Sequence, residues 1–531
     1  MDTKKHVDGL IRKLTAKEID RRQFMMSAVA TGMSVSAATA LASKAEAATP
    51  KRGGHITMGK GHGSTTDTLD PGLYENGFTL GMTFGFNGYL TEVGADGAVH
   101  PSVAESWEAS SDAATWTFKL RKGVEFHNGK SVTAEDVVAS INHHRGEDST
   151  SAAKPLVDAV TDVKADGDNV VISLSAGNAD FPYIVTDYHI PVQPAKDGKM
   201  NWEPGVGCGP YEMTHFDPGV SAEFKRHGNH WNSDVAHFDS AQILTLTDPN
   251  ARTAALVSGD CDAIDRVDLK TAGLLGRKPG VNIHSVAGTK HYTFPMRCDV
   301  APFDNVNVRR ALKHAVRRDE LVEKILFGYG EVGNDVPIGS GQRFFNSEMP
   351  QTSYDPDKAK YFLKQAGMSS LSVELSASDA AFPGAVDAAV LIQNSAKDCG
   401  IDVNVVREPN DGYWSDVWMN KGWSACYWGG RPVEDMMFST AYQSGVAWND
   451  TFWSNARFDE LLVAARAELD ENKRREMYYE MQVILNEDGG ALIPFFASYV
   501  FAINDGVGHS DTFASNWDLD GERWMERWWK A

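Results

Sequence analysis

Residues 423–442, Trp-Ser-Ala-Cys-Tyr-Trp-Gly-Gly-Arg-Pro-Val-Glu-Asp-Met-Met-Phe-Ser-Thr-Ala-Tyr, bring together side chains suited to holding a small anionic or peptidic ligand. Arg431 offers a guanidinium that stays charged at any physiological pH and can grip a carboxylate through two parallel hydrogen bonds. Gly429 and Gly430 leave the backbone bare beside it, and Tyr427 and Trp428 supply aromatic surface. Strand alternation lets only one of these two aromatics share a face with the ligand. Glu434 and Asp435 follow three and four residues after Arg431. They could supply an anion to a ligand, or tie up Arg431 in an ordinary strand-to-helix turn. The elements that must position these groups are a short buried strand over Trp423–Trp428, broken by the glycine pair, and a following helix. Met436, Met437, Phe438 and Tyr442 recur at helical spacing in that second segment.

Other reactive residues lack partners at useful spacing. His227 and His230 stand three apart beside Trp231, with no carboxylate or third histidine placed to complete a metal site, so packing or surface roles are expected. Cys208 lies between two glycines with no local His or Asp to activate it. His-Glu-x-x-His, Gly-x-Ser-x-Gly and P-loop patterns do not occur. The five cysteines contain no Cys-x-x-Cys pair, and their odd number leaves at least one thiol free or paired between chains. No catalytic residue, metal or cofactor is expected.

The chain has 531 residues and a formal charge of −21, long enough for at least two lobes. Such an acidic surface argues against nucleic acid or an anionic membrane as partner. The charge is uneven. Residues 1–47 hold eight basic and five acidic residues, so the remainder carries −24. That N-terminal stretch reads as an export signal: Arg21-Arg22-Gln23-Phe24, then the weakly apolar Ser27–Ala42, then the cleavage pattern Ala45-Glu46-Ala47. Its core resembles a twin-arginine signal, which implies export of a folded protein, soluble in the periplasm and not inserted in the membrane after cleavage.

Along the remaining chain, His55–Met58 alternates as a first strand and Trp116–Leu120 as a half-buried one. Asn128-Gly129 marks a hairpin turn, and Thr133 with Asp136 comes close to a capping box. Asp304 is expected to cap a helix whose stripe is Val308, Ala311, Leu312 and Ala315. Asp355-Pro356 opens another helix, and Gly367 lies past its end. Leu371–Leu375, Val386–Ala396 and Ile401–Val406 form a β-α-β unit, which favours parallel strands. A charged amphipathic helix follows over 471–487, and Leu492–Phe496 reads as an apolar strand.

The stretch from Leu90 to Val138, with Pro101-Ser-Val-Ala-Glu-Ser-Trp107, Thr115-Trp-Thr-Phe-Lys-Leu-Arg-Lys-Gly-Val-Glu-Phe-His-Asn-Gly129 and Thr133-Ala-Glu-Asp136, closely resembles the family 5 extracellular solute-binding proteins. Gly207-Cys-Gly-Pro-Tyr211, His227-Gly-Asn-His-Trp231 and Phe303–Val316 resemble further segments of that family. The resemblance covers nearly all of the chain past the leader. It implies an α/β fold of two lobes, the large cluster C type of periplasmic binding protein, with an extra subdomain in the N-terminal lobe. The expected boundaries are 1–47 for the signal, 48–288 for lobe I with its insert, 289–495 for lobe II, and 496–531 for the return to lobe I. It further implies a monomeric receptor that hands a peptide or other small molecule to the membrane subunits of an ABC permease. A nickel- or haem-carrying receptor is a lesser branch, and a secreted hydrolase is the reading from another class. In the family's peptide receptors an Asp near this strand end anchors the peptide's α-amino group. Arg431 stands at that position here and would repel it. Cys208 replaces a small Thr that lines the cleft. The expected ligand-binding residues are therefore Arg431, Trp428, Tyr427, Gly430, Cys208, Glu434 and Asp435.

Overall fold

A computed structural model describes residues 50–409, 412–431 and 433–531, together with residues 10, 13, 19 and 21–30. Arg21–Ala30 is a helix. The Ala45-Glu46-Ala47 pattern and Pro432 lie outside the described residues. Among the described residues no helix is long and apolar enough to cross a membrane.

Two α/β bodies meet along a cleft. The first is built on a seven-stranded sheet in the order 211–217, 221–226, 240–245, 55–60, 263–264, 499–504, 281–286. His55–Lys60 lies at its centre, parallel to both neighbours, and every residue of it from Ile56 onward is buried. Full burial, not the half-burial implied by alternation, follows because helices cover both faces of the sheet. A four-stranded antiparallel sheet (104–109, 115–120, 169–174, 160–166) carries a separate apolar core around Trp116, Phe118, Val170 and Ile172. It is inserted between the first and second strands of the large sheet.

The second body holds the parallel pair Leu371–Ala377 and Ile401–Arg407, in register Leu371↔Ile401, with helix Ala385–Ala396 as the crossover. Beside it lies a sheet in the order 330–332, 495–497, 291–293, 426–428. Phe495–Ala497 pairs in this second sheet, whereas Tyr499–Asn504 pairs in the first. The chain thus crosses at Ser498, as it does between Val286 and His291.

Local signals decide most element ends. Asp355 caps helix Pro356–Gln365 by accepting the N–H groups of Asp357 and Lys358, and Gly367 leaves it at φ 77°. Asp136 takes the Thr133 N–H at 2.9 Å, and Gly129 turns its hairpin at φ 82°. Asp304 is not the cap of the helix Val306–His314. Asn305 is, because the helix begins one residue later, and its side chain accepts the Asn307 N–H at 2.9 Å. The strand expected over Trp423–Trp428 is regular only for Cys426–Trp428. Trp423 and Ser424 make single bridges to Met296 and Ser376 on different neighbours, which pulls the backbone out of one ladder.

The interlobe cleft as candidate binding site

Cys426–Trp428 is an edge strand paired antiparallel with His291–Thr293, Trp428 opposite His291 and Tyr427 opposite Tyr292. Alternation sends the two aromatics to opposite sides. Trp428 is 5 % exposed and donates its indole N–H to Asp450 Oδ2 at 3.3 Å, whereas Tyr427 is 41 % exposed, with Lys290 Nζ 5.2 Å from its ring centre. After the strand the chain passes so close to Thr289 that a Cβ on Gly430 would lie 1.7 Å from its Oγ1. Gly430 is therefore required by the fold. At Gly429 a Cβ would meet only Arg431 Nη1, at 3.9 Å.

Arg431 emerges from this turn into a cavity of about 390 Å³ between the lobes. Tyr183, Asp187 and Trp517 of the first body line it opposite Arg343, Arg431 and Glu434 of the second. The Arg431 guanidinium makes long contacts, 3.3 Å, with the carbonyls of Gly429 and Gly430 and lies 6.0 Å from the Trp428 ring centre. Among the described residues no carboxylate comes within 4 Å of it. Burial alone holds its pKa below the ordinary value, with no anion to offset the desolvation.

The two acids beside it are engaged elsewhere. Glu434, 2 % exposed, accepts the Phe344 N–H at 2.8 Å, and Asp435 accepts from Arg466 Nε at 3.1 Å. Burial raises both carboxyls, against the pull of Arg343 on the first and Arg466 on the second. Glu434 lines the cavity with Arg431; Asp435 does not. Cys208 sits apart, 1 % exposed, its Sγ directed at Val192 O at 3.6 Å and its thiol pushed by burial up to about 12. It lines a separate recess with Trp231 and Arg523. All five cysteines are free thiols.

Past Trp517 the cleft continues into a second chamber of about 450 Å³, where Gly429, Gly430, Lys290 and Tyr292 face Arg266, Asp518 and Glu522. Like Arg431, Lys290 and Arg266 have no carboxylate within 4 Å among the described residues. Burial, then Arg266, holds Lys290 below its usual pKa. These residues carry no motif of their own. Thr289-Lys290 marks only the crossing between lobes, and the acid-rich 518–522 segment looks like solvated loop in sequence.

The lobes also touch at the edge of the first chamber, where Arg343 reaches out of its lining. Asp180, fully buried, accepts from Arg474 Nη1 at 2.9 Å and from Arg343 Nη2 at 2.6 Å. Burial pushes its carboxyl up, but Arg474 and Arg343 outweigh that and hold it below the ordinary value. Among the described residues no group of three or more His, Cys, Asp or Glu is arranged to hold a metal ion.

The model of the bacterial extracellular solute-binding proteins, family 5, matches residues 98–450, well over half of the chain. The chain belongs to this family. The dipeptide-binding protein of Escherichia coli K12 is 26 % identical over 438 residues, which span 74 % of this chain and 80 % of that protein. Among solved structures, HbpA2 from Haemophilus parasuis superposes with a TM-score of 0.79 at 20 % identity, covering 88 % of this chain and 99 % of that one. AgaA from A. tumefacien R10, solved with agropinic acid, reaches a TM-score of 0.68 at 22 % identity, covering 90 % and 99 %. The fold is that of the two-lobed periplasmic binding proteins, and this family 5 member is a periplasmic solute-binding protein.

Proposed function

We propose that this solute-binding protein captures a small solute bearing a carboxylate or comparable anion and delivers it to the membrane subunits of an ABC importer, with Arg431 as the anion's anchor. The observation that carries this reading is a partly buried guanidinium lining the interlobe cavity with no carboxylate in reach among the described residues. Such a group is stabilised by whatever anion enters. Tyr183, Trp517 and Glu434 complete the wall around it, whereas Tyr427 and Trp428 lie outside this cavity. The protein binds and releases its ligand without altering it, and does so as a single chain. Native mass spectrometry of protein purified from the periplasm tests this. A retained, chemically unchanged solute with an acidic group supports the reading; a retained solute without any acidic group rejects it.

Export rests on Arg21 and Arg22, read as the twin-arginine core of a leader ending near Ala47. Changing both to Lys should leave precursor in the cytoplasm. Normal accumulation of that double variant in the periplasm would refute the route.

A further inference from the structure

The first chamber is walled mainly by polar side chains and has no place for a large apolar group. Apart from Tyr183 and Trp517, no aromatic residue lines it among the described residues, and no Leu, Ile or Met does so. Its volume of about 390 Å³ lies at the low end for small-molecule sites, which suits one compact solute.

The hydroxyls on this wall have their protons committed to the protein. Thr186 Oγ1 donates to the Tyr183 carbonyl at 2.7 Å, and the Tyr183 hydroxyl donates to the Gly97 carbonyl at 3.2 Å. Ser515 Oγ donates across the cleft to the Gly341 carbonyl at 3.0 Å, and Ser340 Oγ donates to Glu331. A hydroxyl carries one donor and two acceptor lone pairs, so each of these oxygens is left to accept from a ligand. Gln342 is set in the opposite sense. Its Oε1 accepts the Gly339 N–H at 2.8 Å, which leaves the Nε2 donors without a protein acceptor among the described residues.

The acids on the same wall are held by protein donors. Asp187 accepts from His189 Nδ1 at 2.6 Å, Asp96 accepts from His100 Nε2 at 2.9 Å, and Glu471 lies 3.7 Å from Arg343. Glu434 takes the Phe344 N–H. A ligand ammonium therefore finds no unshared counter-ion here, whereas each carboxylate keeps lone pairs that can accept from an O–H. Trp517 stands between the two chambers, its ring set edge-on to Tyr188 with centroids 5.6 Å apart. An indole face is an apolar platform, suited to the C–H side of a molecule whose rim is polar.

We propose that the solute is a polyhydroxylated carboxylic acid of the sugar-acid type. Its carboxylate lies on Arg431, its hydroxyls donate to the oxygens of Thr186, Ser340 and Ser515, and its carbon face rests on Trp517. This deepens the anion reading above and rests on it.

The test uses the intact mature protein, dialysed free of small molecules, with D-gluconate, D-glucuronate, hexanoate, mannitol and alanyl-alanine as probes. Thermal shift screens them and calorimetry ranks them. The sugar acids should bind at least about tenfold more tightly than hexanoate, which keeps the carboxylate without hydroxyls, and than mannitol, which keeps hydroxyls without the carboxylate. Hexanoate bound as tightly as the sugar acids overturns the hydroxyl contacts and leaves the anion reading standing. Mannitol bound as tightly removes the anion reading, and this proposal with it. A dipeptide that outbinds both sugar acids, or sugar acids that do not bind, overturns the proposal. Ser515→Ala should weaken gluconate about fivefold while the ligand-free variant melts with the parent. Unchanged gluconate affinity, or a weakening matched by a lower melting temperature, makes Ser515 part of the scaffold and overturns the contact assigned to it.

Discussion

Glu434 accepts the backbone N–H of Phe344 at 2.8 Å and so does not pair with Arg431, three residues before it. Asp435 is likewise taken by Arg466. The turn after the edge strand therefore delivers a guanidinium to the cleft with its charge unspent, the opposite of the self-contained turn that the sequence equally allows.

Asp180 is one of the contacts that join the part of the chain around the four-stranded sheet to the second lobe, beside the Ala179 N–H donated to the Arg466 carbonyl. Asp180→Asn leaves Arg474 and Arg343 buried without their anion, so the variant should lose roughly 3–5 kcal/mol of stability in chemical denaturation. Because the folded carboxyl is held below its unfolded value, its contribution is present above about pH 4 and lost as pH falls further. A variant as stable as the parent at neutral pH would show that the two arginines need no partner.

Asp450 behaves in the opposite sense. It is fully buried, accepts from Trp418 at 3.1 Å and Trp428 at 3.3 Å, and burial raises its pKa from 3.8 to about 6. The folded state thus binds a proton that the unfolded state has lost between these values, and stability falls as pH rises through that window. Asp450→Asn should be no more stable than the parent at pH 4, and more stable by up to roughly 3 kcal/mol at pH 8. A gap that does not change with pH would contradict this.

The two glycines before Arg431 should respond differently. Gly430→Ala drives a methyl into Thr289 and should cost roughly 1–3 kcal/mol, whereas Gly429→Ala meets only the end of Arg431 and should be nearly neutral. Equal melting temperatures for the two variants would contradict the close approach at Thr289.

What the sequence revealed follows the range of each interaction. The Asp355 cap is written within a few residues of where it acts, and the parallel pair 371–377 and 401–407 within one β-α-β unit. The position of Arg431 just after a strand end was legible because the apolar run and the glycine pair stand beside it in sequence. Asp180 was not, since its partner Arg474 lies 294 residues away. The 518–522 turn escaped for a different reason: left-handed backbone at Leu519, Asp520 and Glu522 runs against local preference and is imposed by packing. Cys208 and Asp435 carried plausible chemistry in sequence, but one packs against Val192 and the other against Arg466, away from the Arg431 cavity.

Calorimetry on Arg431→Ala, titrated with the anionic solute retained by the purified parent protein, tests the central claim most directly. A desolvated, charge-assisted contact predicts a loss of roughly 2–5 kcal/mol, an affinity about thirtyfold weaker or worse, with the melting temperature unchanged. Unchanged affinity with a lowered melting temperature would make Arg431 a part of the scaffold and contradict its role as the anchor.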